Sequence, residues 1–124
     1  MSDAIDLEVG AGTWGLGGDL PVRRLGYGHS DRSSEAILDR CETEALAFLP
    51  WAPLGGGRLV DPMVERFAAA HDATDRQVAL AWLLARSPVM LPIPGTGSVA
   101  HLEENAAARE LRLTPQEIGE LNRL

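Results

Sequence analysis

The chain has 124 residues, 45% of them hydrophobic, which suits one modest domain with a single apolar core. Its formal charge of -7 and its pI near 4.8 exclude the usual partners of a basic surface, so we expect it to bind neither nucleic acid nor an anionic membrane. The single cysteine, and an N-terminus with no signal peptide or long apolar span, predict a soluble cytoplasmic protein that binds small molecules or proteins.

The N-terminal part of the chain predicts a hairpin, a strand and a helix. Residues 1–20 are rich in glycine and acidic side chains, as in a hairpin, and the short apolar run at residues 20–27 predicts a strand. From Ser33 the apolar residues follow helical spacing, so we expect an amphipathic helix with serine as its N-cap. Cys41 on its apolar face is expected to be a core residue and not a nucleophile. That face also holds Ile37 and Leu38.

Two later apolar runs predict buried strands. Residues 45–54 and residues 88–94 are too short and too often interrupted by proline for comfortable helices, and each suits a fully buried parallel strand. Predicted helices follow both runs. An alternation of strands and helices of this kind calls for parallel strands joined by right-handed crossovers.

Helix signals are clear in the second half of the chain. Thr74 with Gln77, and Thr114 with Glu117, have the spacing of capping boxes, so we expect a helix to begin after each threonine. Another helix is expected at residues 98–111, and one more follows Asp61 and Pro62. In the helix after Asp61 and Pro62, the predicted apolar face holds Met63, Phe67 and Ala70. In the helix after Thr74, it holds Val78, Ala81, Trp82 and Ala85.

Three stretches of the sequence resemble the C-terminal part of aldo-keto reductases: PWAPLGGGRL, QVALAWLLARSPVMLPIPGTGSVAHLEEN and LRLTPQEIGEL. In addition, GGDLPVRRLGYG resembles the N-terminal hairpin and first strand of that family. The resemblance implies an α/β fold, a partial (β/α)8 or TIM-type barrel with about three parallel strands, an N-terminal hairpin and flanking helices. We expect one truncated domain over residues 1–124, with the hairpin and first strand at 1–28 and the C-terminal barrel portion at 29–124.

The same resemblance implies that the middle of the barrel is missing. In a closed barrel the first strand lies beside the eighth and the eighth beside the seventh, so residues 88–94 are expected between residues 45–54 and 20–27. The two outer strands lose their neighbours, and we expect Phe48, Pro50, Met90 or Pro92 to face water, depending on register. Because a soluble monomer seldom exposes such a patch, we predict a homodimer with a ligand pocket near its interface.

The family's catalytic groups are also implied to be missing. Aldo-keto reductases reduce carbonyls with a nicotinamide hydride, using a tyrosine acid with a lysine, an aspartate and usually a histidine from the missing middle. All 11 basic residues here are arginines, and Tyr27, the single tyrosine, falls on the first strand. We therefore expect a pseudoenzyme without ordinary reductase activity on its own. Tyr27, His29 and Asp31 remain as weak catalytic candidates, although His29 alternatively lies in solvent, and no metal site is expected.

Part of the family's cofactor site is implied around Trp51. The resemblance gives Trp51 the position of the aromatic that stacks on the nicotinamide, and it assigns Ala52, Leu54 and Gly56 to the pyrophosphate path. Two alternatives stay open. The tryptophan, like Trp82, could serve only in packing, and the glycine run could be only a turn.

The remaining cofactor positions follow the second apolar run. By resemblance Thr96, Gly97 and Ser98 meet the adenosine-side phosphate at a helix start, where backbone N–H groups and the helix dipole favour an anion. Glu104 and Asn105 match positions that contact adenine. Taken without its context, this turn is a common link between a strand and a helix.

Two departures from the family affect the choice of nucleotide. Gly95 and His101 occupy positions at which many relatives carry a lysine and an arginine that grip the 2′-phosphate. The resemblance thus implies weak binding of NADP or NAD, and a chain that binds neither is an equal alternative. Two further functions stay open: a non-redox enzyme, such as a cyclase or isomerase, that uses the exposed barrel face as a small-molecule pocket, and a non-catalytic interaction protein.

Overall fold

A computed structural model describes residues 10–13, 32–50, 54 and 61–124, with side chains described from residue 36 onward. The predicted strand at residues 20–27 and most of the predicted hairpin lie outside the described residues. The elements in chain order are β1 (Gly10–Thr13), α1 (Arg32–Thr43), β2 (Ala47–Pro50), α2 (Pro62–Ala70), α3 (Asp75–Arg86), α4 (Val99–Ala107), a 3-10 turn (Ala108–Glu110) and α5 (Pro115–Leu121).

The described sheet consists of β1 and β2, which run parallel. Gly10 pairs with Ala47 and Thr13 pairs with Pro50. Of the predicted hairpin, the structure describes Gly10–Thr13, which pairs in parallel with a strand far along the chain; the antiparallel pairing expected within residues 1–20 lies outside the described residues. The edge of β2 that we expected to lose its neighbour is therefore occupied by the chain's own N-terminal part.

The second apolar run joins β2 at one position, so the prediction of a full central strand at residues 88–94 is wrong. Phe48 and Met90 form a parallel bridge. The Phe48 amide donates to the Val89 carbonyl and the Leu91 amide to the Phe48 carbonyl, both at 2.8 Å. The prolines at 88, 92 and 94 have no N–H to donate, which keeps the ladder from extending. Among the described residues β2 is thus the central strand, between β1 and Met90.

The end of α1 explains why β2 is shorter than predicted. The Leu46 amide donates to the Cys41 carbonyl at 2.9 Å and the Ala45 amide to the Glu42 carbonyl at 3.3 Å, which is the Schellman pattern of a helix end. Ala45 adopts a φ of 53° to close it. Residues 45 and 46 therefore end the helix and do not begin the strand.

The start of α1 also differs from the prediction. The helix begins at Arg32, so Ser33 lies inside the first turn and is not the N-cap. On the predicted apolar face, Cys41 is buried and Leu38 packs against the core, whereas Ile37 is 41% exposed. Burial of the free Cys41 thiol confirms its expected place in the core.

The core lies where α2 and α3 pack against β2 and α5. On the predicted helix faces, Phe67, Val78, Ala81 and Trp82 are buried as expected, but Ala70 and Ala85 are exposed. The Trp82 indole N–H donates to the Asn122 side-chain oxygen at 2.8 Å, which satisfies the polar atom of a buried aromatic ring. The core residues of α2 and α3 that the face analysis missed are Val64, Ala68, Leu80 and Leu83.

Both predicted capping boxes are present. Thr74 and Gln77 cap α3, and Thr114 and Glu117 cap α5, with the side chain of each pair bonded to the backbone of the other. The helix predicted at residues 98–111 is shorter. It ends at Ala107, and a 3-10 turn follows it.

The exposed apolar residues differ from those predicted. Phe48 and Met90 are 3% and 7% exposed, Pro50 is buried and Pro92 is half-buried, so the expectation that this set faces water is wrong for most of it. Large exposed apolar side chains lie instead on the adjoining positions of the same run and on α4. The most exposed are Leu91, Ile93, Val99 and Leu102, and Ile37 and Leu84 are exposed to a smaller extent.

Candidate functional site

The turn that precedes α4 is held by its own hydroxyl groups. The Ser98 amide donates to the Thr96 hydroxyl at 3.1 Å, and the Ser98 hydroxyl accepts from the His101 amide at 3.4 Å. The Leu102 amide donates to the Ser98 carbonyl at 3.0 Å. Ser98 is thus the N-cap of α4, with extended backbone at φ -114° and ψ 128°.

The backbone of this turn lies on an open surface. Gly95, Thr96 and Gly97 are exposed, and a Cβ added to either glycine would have no atom of the described chain within 4 Å. The first amides of any α-helix, here those of Val99 and Ala100, lack carbonyl partners within the helix, and both residues are exposed. Open amides at the positive end of a helix dipole suit a phosphate group.

The other end of α4 is fixed against the start of α3. The Glu104 carboxylate accepts from the Thr74 hydroxyl at 2.7 Å, and the Glu104 carbonyl accepts from the Gln77 side-chain amide at 3.0 Å. Thr74 and Gln77 were predicted only as a capping box. Nothing in the sequence signals that this box also contacts a helix about 30 residues later.

The side chain of Asn105 carries a buried oxygen without a hydrogen-bond partner in the part of the chain that the structure describes. A buried acceptor without a partner costs about 1–3 kcal/mol, so such an atom calls for an explanation, of which a ligand is one. Asn105 lies seven residues after Ser98, roughly 10 Å along the axis of α4.

The structure gathers one group of the predicted site residues and leaves the other undescribed. Gly95, Thr96, Gly97, Ser98 and His101 lie on the turn and the first turn of α4, and Glu104 and Asn105 follow on the same helix. Leu54 is half-buried and packs against the core. Six predicted positions lie outside the described residues: Tyr27, His29, Asp31, Trp51, Ala52 and Gly56.

A second concave feature lies away from these residues. It is a shallow cavity of about 250 Å³ between α3 and the segment that leads to α5, and none of the predicted site residues lines it. Its walls are Ala81, Leu84, Ala85, Ala108, Arg109, Leu111, Arg112 and Leu113. In the described ranges no group of three or more histidine, cysteine or acidic side chains is placed to hold a metal ion. No described helix is long and apolar enough to cross a membrane.

Comparison with known proteins agrees with the resemblance seen in the motifs. The model of the aldo/keto reductase family matches residues 21–124. An uncharacterized oxidoreductase of Schizosaccharomyces pombe is 43% identical over 94 residues, which are 74% of this chain and 31% of that protein. Pyridoxine 4-dehydrogenase of Escherichia coli is 44% identical over 97 residues, 77% of this chain and 34% of the enzyme.

Solved structures show the same relationship. An aldo-keto reductase from Klebsiella pneumoniae in complex with NADPH has a TM-score of 0.69 and 26% identity, and the match covers 93% of this chain and 38% of that one. The chain thus spans about a third of the length of the curated relatives it matches. With a family match over most of its residues, the chain belongs to the aldo/keto reductase family.

Proposed function

We propose that the chain binds a nicotinamide dinucleotide through the turn at residues 95–98 and through α4, and that it does not reduce carbonyls on its own. The observation that carries this proposal is the buried, unpartnered side-chain oxygen of Asn105, on the same helix whose N-terminus opens to the surface. The Klebsiella pneumoniae relative, solved in complex with NADPH, supports the choice of ligand.

At the phosphate end, the described residues fit an anion without a positive side chain. Ser98 caps α4 and holds the turn, while the amides of Val99 and Ala100 have no carbonyl partner within the helix. Gly95 and Gly97 leave the surface open to a ligand. Backbone amides and a helix dipole are weaker than a direct ion pair, so we expect modest affinity.

At the adenine end, Asn105 supplies a hydrogen-bond acceptor. The amino group of adenine is a donor, and a bond between the two would satisfy the buried oxygen. The bound nucleotide would supply hydride chemistry, whereas the described residues would bind and orient its adenosine half.

The absence of carbonyl reduction is proposed from composition. All 11 basic residues are arginines, so the chain cannot provide the lysine that assists the family's tyrosine acid. Loss of a general acid or of its activation costs ~10²–10⁴ in rate. Steady-state NADPH oxidation with a panel of aldehydes should show no turnover above the uncatalysed rate, and turnover typical of full-length relatives would refute this part of the proposal.

We also propose that the chain keeps part of the family's barrel. The parallel pairing of β1 with β2 and the parallel bridge between Phe48 and Met90 support this arrangement. In it, β2 and the run from residue 88 correspond to adjacent barrel strands.

Titration calorimetry with NADPH tests the binding proposal. We expect wild-type protein to bind and Asn105→Leu to lose about three- to tenfold in affinity, the value of one hydrogen bond. Gln116→Leu, an exposed change on α5, is the matched control and should bind as wild type does. No binding by wild type at millimolar nucleotide, or equal binding by Asn105→Leu, would contradict the proposal.

A second proposal is self-association, favoured by the exposed apolar side chains of the second run and α4. Leu91 and Ile93 are 49% and 61% exposed, and Val99 and Leu102 are 73% and 59% exposed. We propose a homodimer through this face. Light scattering after size exclusion should give a dimer for wild type and a monomer for Ile93→Glu. Leu84→Glu, which changes an exposed apolar side chain of α3 away from this face, is the control and should stay a dimer. A monomeric wild type would overturn the proposal.

A further inference from the structure

We propose that the shallow cavity between α3 and the segment that leads to α5 binds a small carboxylate with an apolar tail, of the kind of a short fatty acid. The cavity has a volume of about 250 Å³ and is lined by six apolar side chains and two arginines. None of the predicted site residues lines it, so it is separate from the proposed nucleotide site. Apolar walls with a few polar groups are typical of small-molecule sites.

Two alanines leave the space that forms the cavity. Ala81 of α3 and Ala108 of the 3-10 turn belong to the lining and are 5% and 1% exposed. A single methyl group at each position fills little of the space between the two backbones. Leu84 is exposed at the same cavity, and Leu111 and Leu113 are half-buried. Their apolar surface meets water in the cavity, and the tail of a ligand would cover it.

The charge at the cavity is positive. In the part of the chain that the structure describes, the lining contains no acidic side chain, although the chain has 18 acidic and 11 basic residues. The Arg109 Nε atom donates to the Glu110 carboxylate at 2.9 Å, so that arginine is already paired. Arg112 has no carboxylate within ion-pair distance among the described residues. Its uncompensated charge favours an anion at the cavity.

A backbone contact holds the Arg112 guanidinium at this position. Its Nη1 atom donates to the Arg109 carbonyl at 2.6 Å. A guanidinium has five N–H donors, of which this bond uses one. The planar group can donate two parallel bonds to the two oxygens of a carboxylate, which is stronger than a single neutral bond. One molecule can therefore bind Arg112 through its carboxylate and cover the leucines with its tail.

The volume of the cavity indicates a short tail. Pockets for drug-sized molecules range over about 300–1,000 Å³, so a cavity of about 250 Å³ suits a smaller ligand. Each methylene fully removed from water contributes about fourfold in affinity, and we expect about twofold per methylene in a cavity that is open to water. Octanoate should then bind at least tenfold more tightly than butanoate, which is shorter by four methylenes.

NMR titration of the whole chain at pH 7 with octanoate, butanoate and octanol tests the proposal. We expect saturable shifts in the backbone amides of residues 81–85 and 108–113, and none in the amides of α2. Octanol has the same tail as octanoate and no charge. Because Arg112 is exposed, we expect octanoate to bind only about three- to tenfold more tightly than octanol.

Two variants separate the charge from the apolar wall. Arg112→Gln should lower the affinity for octanoate to that for octanol and leave octanol binding unchanged, whereas a general loss of structure would weaken both. Arg40→Gln removes the same charge from α1, where Arg40 pairs with Glu44, and should bind as wild type does. Ala85→Trp adds a large side chain at the exposed edge of the cavity and should weaken both ligands. Ala69→Trp on α2 is its control.

Three results would overturn the proposal. They are the absence of saturable shifts at millimolar octanoate, shifts confined to the exposed apolar residues between 91 and 102, and equal affinities for octanoate and octanol in wild type. Should a variant fail to fold, the comparison of octanoate with octanol on wild type still decides the matter. NADPH binding is measured at another part of the chain, so each of these results leaves the proposed function standing.

Discussion

The imidazole of His71 and the carboxylate of Glu117 join the end of α2 to the start of α5. The His71 Nε2 atom lies 2.9 Å from one carboxylate oxygen and 3.0 Å from the other. Glu117 also accepts from the Thr114 amide at 2.7 Å within its capping box. One half-buried carboxylate therefore both starts α5 and ties it to α2.

Acid should weaken this junction. Burial raises the pKa of the Glu117 carboxyl. The hydrogen bonds from the Thr114 amide and then from the His71 ring lower it, and together they outweigh burial, so the pKa lies below its usual value. A lowered folded-state pKa contributes stability that is present above the unfolded value near 4.3 and is lost as pH falls through the folded value. We expect Glu117→Gln, which can keep the capping box, to cost about 1–2 kcal/mol at pH 7 and much less at pH 3.

Urea unfolding across pH 3–7 measures this effect. Glu120→Gln is the control, because its partner Arg66 is exposed and such surface pairs contribute about 0–1 kcal/mol. A Glu117→Gln deficit that stays constant from pH 7 to pH 3 would refute the assigned role.

Two helix ends carry a side chain at a position that favours glycine. Ala45 after α1 has a φ of 53°, and Asp72 after α2 has a φ of 50°. The left-handed conformation costs an ordinary residue about 1–2 kcal/mol, more than the extra entropy of an unfolded glycine, about 0.5–1 kcal/mol. We therefore predict that Ala45→Gly stabilises the protein by about 0.5 kcal/mol or more.

An alanine-to-glycine change inside a helix should have the opposite effect on stability and serves as the control. Ala69→Gly, at an exposed position inside α2, should destabilise by about 1 kcal/mol. Thermal unfolding of both variants provides the measurement. A loss of stability in Ala45→Gly equal to that of Ala69→Gly would show that the positive φ is not costly.

The hydrogen bond from Trp82 to Asn122 should contribute more to the free energy of unfolding than a bond to an exposed residue usually does. Trp82 is 2% exposed, and its indole N–H donates to the Asn122 oxygen at 2.8 Å. Asn122→Leu leaves that buried donor unpaired, so we expect a loss of about 1–3 kcal/mol in the free energy of unfolding. Asn122→Asp retains an acceptor and should lose less. Equal losses in the two variants would mean that the bond does not matter.

Local signals in the sequence were sufficient for the helices. Thr74 with Gln77 and Thr114 with Glu117 set two helix starts correctly, since a capping box depends only on residues three apart. Helix ends were harder. Ala45 and Asp72 end their helices without the glycine that usually marks such a position, so no local pattern predicts where these helices end.

Long-range pairing explains the larger errors in the fold and the site. No local pattern shows that Gly10–Thr13 pairs with β2, because a glycine-rich segment has little side-chain preference to fix its register. The contact from Thr74 to Glu104 was missed for the same reason, as it joins helices through one hydroxyl. The predicted start of a helix near residue 98 is confirmed, and the structure adds that Ser98 is the N-cap of α4.

Adding positive charge at the phosphate end should create a preference for NADPH over NADH. Gly95 and His101 are exposed at positions where the resemblance places the family's lysine and arginine, and a side chain at Gly95 meets open space in the described part of the chain. A charged hydrogen bond contributes about 1.5–3 kcal/mol, so Gly95→Lys with His101→Arg should raise NADPH affinity by an order of magnitude or more. NADH affinity should change little. Fluorescence titration with both nucleotides measures the ratio, and an unchanged ratio would mean that the 2′-phosphate lies elsewhere.

Residue-resolved NMR during an NADPH titration tests the central claim most directly, because it locates the nucleotide on the chain. The proposed site predicts saturable shifts in the backbone amides of residues 95–101 and in the side-chain amide of Asn105. The chemical shifts of the α5 amides should not change, and they serve as the internal control. Shifts confined to other elements, or no saturable shift at millimolar NADPH, would contradict the proposed binding site.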